Sequence, residues 1–296
     1  MRTVYSLNTK WAFSKQVDTV PEELPMNWEW VNLPHTWNAT DGQDGGNDYY
    51  RGVCYYVKQI SKTDLPQTDC YYLEIKGANS SCDVHLNGKH LAHHDGGYST
   101  WRVDITNDLK NENLLFIAVD NSHNEKVYPQ VADFTFYGGL YRDVNLISVN
   151  KSHFSLGYYG GPGLKITPEV FDNDAKVQIE TWITDYKEGQ NICYTIYDKE
   201  ENKIASTETD KLSAILEIEN VHLWHGRKDP YLYKAEVKLV QNNEVIDCIS
   251  SNFGCRTFKI NPDNGFILNG KEYPLRGVSR HQDRLGYGNA LLPEHH

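Results

Sequence analysis

The chain is short of positive charge: 29 Lys and Arg stand against 40 Asp and Glu, a formal charge of −11. A surface of that sign repels a phosphate backbone, so nucleic acid is excluded as a partner. There is no apolar run approaching the ~18 residues that read as a membrane-spanning helix. The first residues, Met1-Arg-Thr-Val-Tyr-Ser-Leu-Asn-Thr-Lys-Trp11, hold no apolar signal core. The expectation is a soluble chain without a membrane partner, cytoplasmic unless a leader has been removed. Cys54, Cys70, Cys82, Cys193, Cys248 and Cys255 form no Cys-x-x-Cys pair and no Cys/His spacing of a zinc site. A chain of 296 residues needs no disulfide staples, so these thiols are expected to be reduced and buried. Helix-period patterns of any length are missing as well.

What remains is β-forming sequence, with 20 Tyr and 7 Trp to build cores. The runs beginning at Cys54, Cys70, Cys82, Leu114 and Val144 are short and mostly alternating, and turn signals such as Asn107-Asp108 separate them. Asn87-Gly88 joins two of the apolar segments as a hairpin, because its favoured turn needs positive φ at both central residues. Many short strands at regular spacing predict a sandwich or jelly roll. Gly160-Gly161-Pro162-Gly163 then breaks the rhythm. About seven strands follow over roughly 100 residues, which suits an immunoglobulin-like sandwich. His93 and His94 look like a metal pair, but adjacent residues of a strand face opposite sides, so a shared ion is not expected.

From about Arg256 the pattern changes again. Phe266-Ile-Leu and Glu272-Tyr-Pro-Leu flank Asn269-Gly270 and read as a hairpin. Leu275 to Val278 reads as a strand that delivers Arg280, His281 and Asp283 at its end, the place where a (β/α)8 barrel keeps its chemistry. The run Arg276-Gly-Val-Ser-Arg-His-Gln-Asp283, with Gly286-Tyr-Gly-Asn-Ala-Leu291, closely resembles the start of the catalytic barrel of glycoside hydrolase family 2. That family includes β-galactosidases, β-glucuronidases and β-mannosidases, and the Ser279-Arg280-His281 form is more like the β-galactosidase branch. The resemblance continues in Asp95-Gly-Gly-Tyr-Ser-Thr-Trp101, where Trp101 takes the place of a core aromatic, and in Asp133-Phe-Thr-Phe-Tyr-Gly-Gly-Leu-Tyr-Arg-Asp143-Val. It extends to Leu223-Trp-His through Asp229-Pro-Tyr-Leu-Tyr233, where one proline of the family pattern is absent.

The resemblance implies a mainly β chain. A jelly-roll (galactose-binding-like) sandwich spans 1–149 and an immunoglobulin-like β-sandwich spans 150–258. The first strand of a truncated (β/α)8 barrel follows in 259–296. It implies the non-catalytic N-terminal part of a retaining β-glycosidase, most readily a β-galactosidase, with β-glucuronidase, β-mannosidase or a stand-alone carbohydrate-binding module as alternatives. Such enzymes use two carboxyl groups about 5–5.5 Å apart. In the family both are glutamates on later barrel strands, so no catalytic residue is assigned here, and the chain alone is expected to be inactive.

His281 corresponds to a family histidine that contacts sugar hydroxyls, since an imidazole offers one donor and one acceptor; a buried histidine bonding a loop is the other reading. Arg280 and Asp283 are expected to support it, as an ion pair or by holding neighbouring groups. Asp133 matches a family aspartate that binds the sugar, where the alternative is a turn cap. Asp41-Gly-Gln-Asp-Gly-Gly-Asn-Asp48 spaces its carboxylates like a calcium loop but lacks the helices and closing Glu of an EF-hand. It reads as a turn-rich loop rather than a metal site, and the resemblance implies that it lies near the sugar, with Asn47 and Asp48 as contacts. Gly138-Gly139 is expected to allow a tight course into a last strand, with Arg142 and Asp143 structural. No metal or cofactor is assigned to this stretch, although Mg or Na remains open for a full-length protein. The partner is a carbohydrate, and the family's dimers and tetramers leave a homo-oligomer open.

Overall fold

The computed structural model describes residues 1–41, 48–128 and 134–296. Regular structure among them is strand, apart from two single 3-10 turns at Lys62–Asp64 and Pro293–His295. No helix is long and apolar enough to cross a membrane among the described residues. The chain divides into two compact units: residues 3–148 with 280–296, and residues 1–2 with 149–279.

The first unit is built on two sheets. Six strands run in the order Glu29–Val31, Trp11–Ser14, Val53–Ser61, Glu112–Asp120, Ser81–Leu86, Lys89–Asp95. Four run in the order Thr3–Ser6, Val144–Val149, Cys70–Ile75, Trp101–Asp104. Neighbours far apart in sequence alternate with hairpin neighbours, as a jelly roll requires. The period of two sends Cys54 and Tyr56 inward, opposite Val119 and Ile117 of the paired strand, and they pack with Trp11, Leu73, Ile75 and Leu146. The other face of the larger sheet is not bare. Ala12, Val57 and Phe116 form a second cluster there under Val17, Leu24 and Trp28. A strand apolar on both faces cannot alternate cleanly, which is why Val53–Ser61 reads as nearly continuous. Asn87 and Gly88 adopt φ of 53° and 82° and turn Leu86 onto Lys89 as predicted. His93 bonds Asp83 and Asp95, whereas His94 stacks on Trp101 at 4.9 Å, so the two imidazoles do face apart. Trp101 is half-buried against the core.

The second unit contains a seven-stranded sandwich of immunoglobulin type. Leu164–Phe171, Asp174–Thr181 and Ser213–Ile218 form one sheet. Lys203–Thr209, Gln190–Tyr197, Tyr233–Gln241 and Glu244–Phe253 form the other. Ala175, Val177, Ile179, Ile192, Tyr194 and Val237 are fully buried between them. All six cysteines are free thiols; Cys54, Cys82 and Cys255 are buried, and Cys70, Cys193 and Cys248 only partly so. Burial raises the thiol of Cys54 to about 12 and that of Cys255 to about 11, so neither is a thiolate near neutral pH.

Residues 259–279 fall with the second unit and 280–296 with the first. Phe258–Asn261, Gly265–Leu268 and Lys271–Glu272 make a small meander, turned at Asn269 and Gly270 with φ of 49° and 75°. The expected barrel strand over Leu275 to Val278 does not form: the segment has no ladder partner, and Val278 is 95% exposed. A strand exists only by pairing, and an apolar run without a neighbour stays irregular.

Asp247 fixes the start of the second unit. Its carboxylate has no solvent exposure and accepts from Arg2 Nη2 at 2.9 Å and from the backbone N–H groups of Phe154 and Cys248 at 2.8 and 2.9 Å. Arg2 also donates to the Phe154 carbonyl at 2.7 Å. Removing one partner of a buried ion pair leaves an uncompensated charge. Arg2→Ala is therefore expected to destabilise the second unit by about 3 kcal/mol, read by urea unfolding followed at the amides of Glu244–Phe253.

Candidate functional site

At one end of the first unit the strands stop, and side-chain amides replace the ladder. Asn121 follows the strand Glu112–Asp120 and has no exposure. Its Oδ1 accepts from Gly52 N–H at 2.9 Å, and its Nδ2 donates to the Phe136 carbonyl at 3.0 Å and to Asn38 Oδ1 at 3.2 Å. Asn38, also fully buried, accepts from Gly138 N–H at 2.8 Å and donates to the Tyr50 carbonyl at 2.9 Å and Asp41 Oδ1 at 3.0 Å. Asp41 Oδ2 accepts from Tyr50 N–H. Two amides thus tie together three loops: 35–41, 48–52 and 134–140.

The loop 134–140 is pressed onto this network. A Cβ on Gly138 would overlap the Trp37 ring, and one on Gly139, at φ 132°, would overlap the His35 carbonyl. Only glycine permits that approach, and the chain continues into Val144–Val149 as predicted. Arg142 donates to the Tyr98 carbonyl, while Asp143 accepts from Asn8 and Lys76, so both serve the sandwich itself. Under the loop, His35 hydrogen-bonds Tyr56 through Nδ1 at 2.8 Å and meets Phe13 edge-on at 4.7 Å. Burial, followed by the positive charge of Lys15, lowers the pKa of His35 to about 4.

The segment 280–296 lies against the same end. Gly288, at φ 53°, packs on Tyr137 and Thr36; a Cβ there would stand 2.7 Å from the tyrosine ring. Gly286 N–H donates to the Ala39 carbonyl at 3.2 Å. The Tyr137 hydroxyl donates to Asp283 Oδ2 at 2.8 Å. His281 is exposed, with its ring edge-on to Phe134 at 6.5 Å, and Phe134 packs on Phe136 at 5.1 Å. Arg280 does not pair with Asp283: its guanidinium meets His296 Nδ1 at 3.1 Å, and no ion pair between the two is present among the described residues. Asp283 finds its partner in the sandwich instead.

Of the sequence-predicted contacts, His281 and Asp283 meet the 134–137 stretch. Asp48 is exposed and precedes Tyr49, whose hydroxyl accepts from Phe136 N–H at 3.1 Å, so the stretch 48–52 joins the same end. Asn47 and Asp133 lie outside the described residues. Sequence reasoning passed over Asn38, Asn121 and Tyr137. Nothing local marks Asn38 or Asn121, whereas Tyr137 could have been noticed as an aromatic directly before the glycine pair. The surface they build offers carboxylate acceptors, an imidazole and aromatic edges, a set suited to a hydroxyl-rich ligand. No group of three or more His, Cys, Asp or Glu is placed to hold a metal ion among the described residues.

Residues 51–166 match the family model "Glycosyl hydrolase 2 galactose-binding domain-like", and residues 162–256 match "Glycosyl hydrolases family 2". A beta-glucuronidase of Bacteroides fragilis is 34% identical, over 98% of this chain and 43% of its own length. A beta-galactosidase of Thermoanaerobacter pseudethanolicus is 28% identical, over 98% of this chain and 40% of its own. Among solved structures, the FMN-binding beta-glucuronidase of Facaelibacterium prausnitzii L2-6 superposes with a TM-score of 0.91 at 40% identity, covering 100% of this chain and 46% of that one. The chain spans less than half the length of each of these three proteins.

Two outcomes test the architecture of this end. Asn38→Ala strips partners from buried backbone groups on two loops and is expected to cost about 2–4 kcal/mol, measured by denaturant unfolding of the first unit. His35 stays neutral when folded but takes up a proton near pH 6.5 when unfolded. Its contribution is therefore full above that pH and lost as pH falls toward 4. Between pH 7 and 4.5 the first unit is expected to lose roughly 2 kcal/mol through this group; the slope of stability against pH in His35→Gln, compared with the parent, checks it.

Proposed function

The chain belongs to glycosyl hydrolase family 2, and from that membership we propose that it is the sugar-contacting amino-terminal part of a retaining β-glycosidase that removes terminal β-D-glucuronosyl groups. The observation that carries the choice of sugar is the match, along nearly the whole chain, to proteins named beta-glucuronidase at higher identity than to the galactosidase. A β-galactoside is the second reading. It is supported by Ser279-Arg280-His281 and by the Thermoanaerobacter relative.

In this reading His281 hydrogen-bonds a sugar hydroxyl, with one ring nitrogen donating or accepting. Asp133 accepts from two neighbouring hydroxyls, as a carboxylate can. Asn47 and Asp48 add contacts from the loop beside Tyr49. Arg280 and Asp283 hold the backbone that presents the imidazole. The proton donor and the nucleophile are two carboxyl groups contributed from outside residues 1–296; with them about 5–5.5 Å apart, retaining hydrolysis needs no organic cofactor. Sodium or magnesium and a homo-oligomeric state belong to the same proposal, by analogy with the family.

The test compares kcat/KM of the full-length protein for nitrophenyl β-glucuronide, β-galactoside and β-mannoside. Preference for the glucuronide by about tenfold or more, the net worth of one hydrogen bond, supports the first reading, and preference for the galactoside installs the second. The 296-residue chain alone is expected to release no nitrophenol from any of them; turnover by it would place the two carboxyls within this stretch and overturn the division of labour.

A further inference from the structure

We infer that Tyr137 is a positioning residue for the segment that carries His281, acting through its hydroxyl on Asp283. The inference rests on the glycosidase reading above for its consequence in catalysis, though not for the contact itself. Tyr137 belongs to the rigid side of that contact. It is 5% exposed, its carbonyl accepts from Asn79 Nδ2 at 2.7 Å, and the next residue, Gly138, is bonded on both sides, its N–H to Asn38 and its carbonyl to Thr36 Oγ1 at 2.7 Å. The phenol therefore cannot follow Asp283 if the carboxylate moves.

The other side is loosely held. No strand spans residues 273–290, and 280–287 are exposed. The Gly286 amide bond to Ala39 and the packing of Gly288 on Tyr137 and Thr36 anchor the segment beyond Asp283. His281 comes before Asp283, on the side away from both anchors, and its ring meets the edge of Phe134 at 6.5 Å. Arg280, next to the imidazole, meets only His296 of the same segment among the described residues, so the bond from the Tyr137 hydroxyl to Asp283 Oδ2 at 2.8 Å is the nearest polar tie from the sandwich to the imidazole. A hydroxyl bonded to a carboxylate is among the stronger kinds of hydrogen bond and is directional. It sets the course of the backbone two residues from the group that meets the sugar. Gly288 completes the arrangement by letting the segment lie flat on the ring whose hydroxyl makes the bond.

Tyr137→Phe keeps the ring on Gly288 and removes only the hydroxyl. In the 296-residue chain, hydrogen exchange of the bonded amides of Arg284, Gly286 and Gly288 is expected to rise about tenfold in this variant, with exchange in Cys70–Ile75 unchanged. Asp283→Ala should give the same rise, and the double variant no more. Asp283→Asn, which keeps an acceptor oxygen, should restore most of the protection. In the full-length protein Tyr137→Phe should raise KM about tenfold and change kcat less than about threefold, because a hydroxyl-binding imidazole serves ground and transition states alike. Unchanged exchange at Arg284, Gly286 and Gly288 in Tyr137→Phe, or additive effects of Tyr137→Phe and Asp283→Ala, would overturn the contact. Raised exchange with unchanged KM would overturn the positioning role. A full-length parent inactive on every glycoside would sink the glycosidase reading instead, with exchange still deciding the contact.

Discussion

A sandwich has to end, and where its strands end the backbone groups still need partners. In the first unit that need is met by the side chains of Asn38 and Asn121. Each amide can donate and accept at once, and between them they reach the backbones of residues 50, 52, 136 and 138. A buried amide left unpaired costs far more than a made bond returns. The network therefore holds the loops 35–41, 48–52 and 134–140 in one arrangement rather than several. The position of Tyr137, and through it the approach of Asp283, follows from that arrangement.

The same economy appears in the charged groups within the sheets. Glu74 and Arg102 face each other across neighbouring strands at 2.8 Å, and Asn145 occupies the second carboxylate oxygen at 3.0 Å. Asp247 in the second unit is satisfied by Arg2 and two backbone amides. Such pairs add little to stability against apolar substitutes, but they tolerate only one partner geometry. Each fixes a contact between particular segments that apolar packing alone does not specify.

Against this support the segment 280–290 is lightly attached, by a few hydrogen bonds and by glycine contacts. Segments with exposed backbone and few buried contacts sit at the low end of local stability. The division between a strong network and a single hydroxyl–carboxylate tie is a matter of numbers of bonds, not of residue type.

Local properties were legible from the residues alone. Short β-forming runs, alternating in Ser81–Leu86 and nearly continuous in Val53–Ser61, marked these segments, Cys70–Ile75 and Val144–Val149 as strands, because strand propensity and alternation are set by neighbours in sequence. Asn87-Gly88 and Asn269-Gly270 announced their turns, because positive φ is a property of one or two residues. The break at 160–163 and the motifs around Gly138 and His281 carried the two sandwiches and the family. Choice of partner was not legible. Tyr137 and Asp283 lie 146 positions apart, and Asn38 and Asn121 lie 83 apart. At such separations any of several acceptors fits the chemistry. Leu275 to Val278 reads as a strand yet is none, since its sequence supplies the propensity and only a neighbouring chain segment supplies the hydrogen bonds. Periodicity and turn chemistry are written residue by residue, whereas a hydrogen bond between distant groups exists only once the rest of the fold has brought them together.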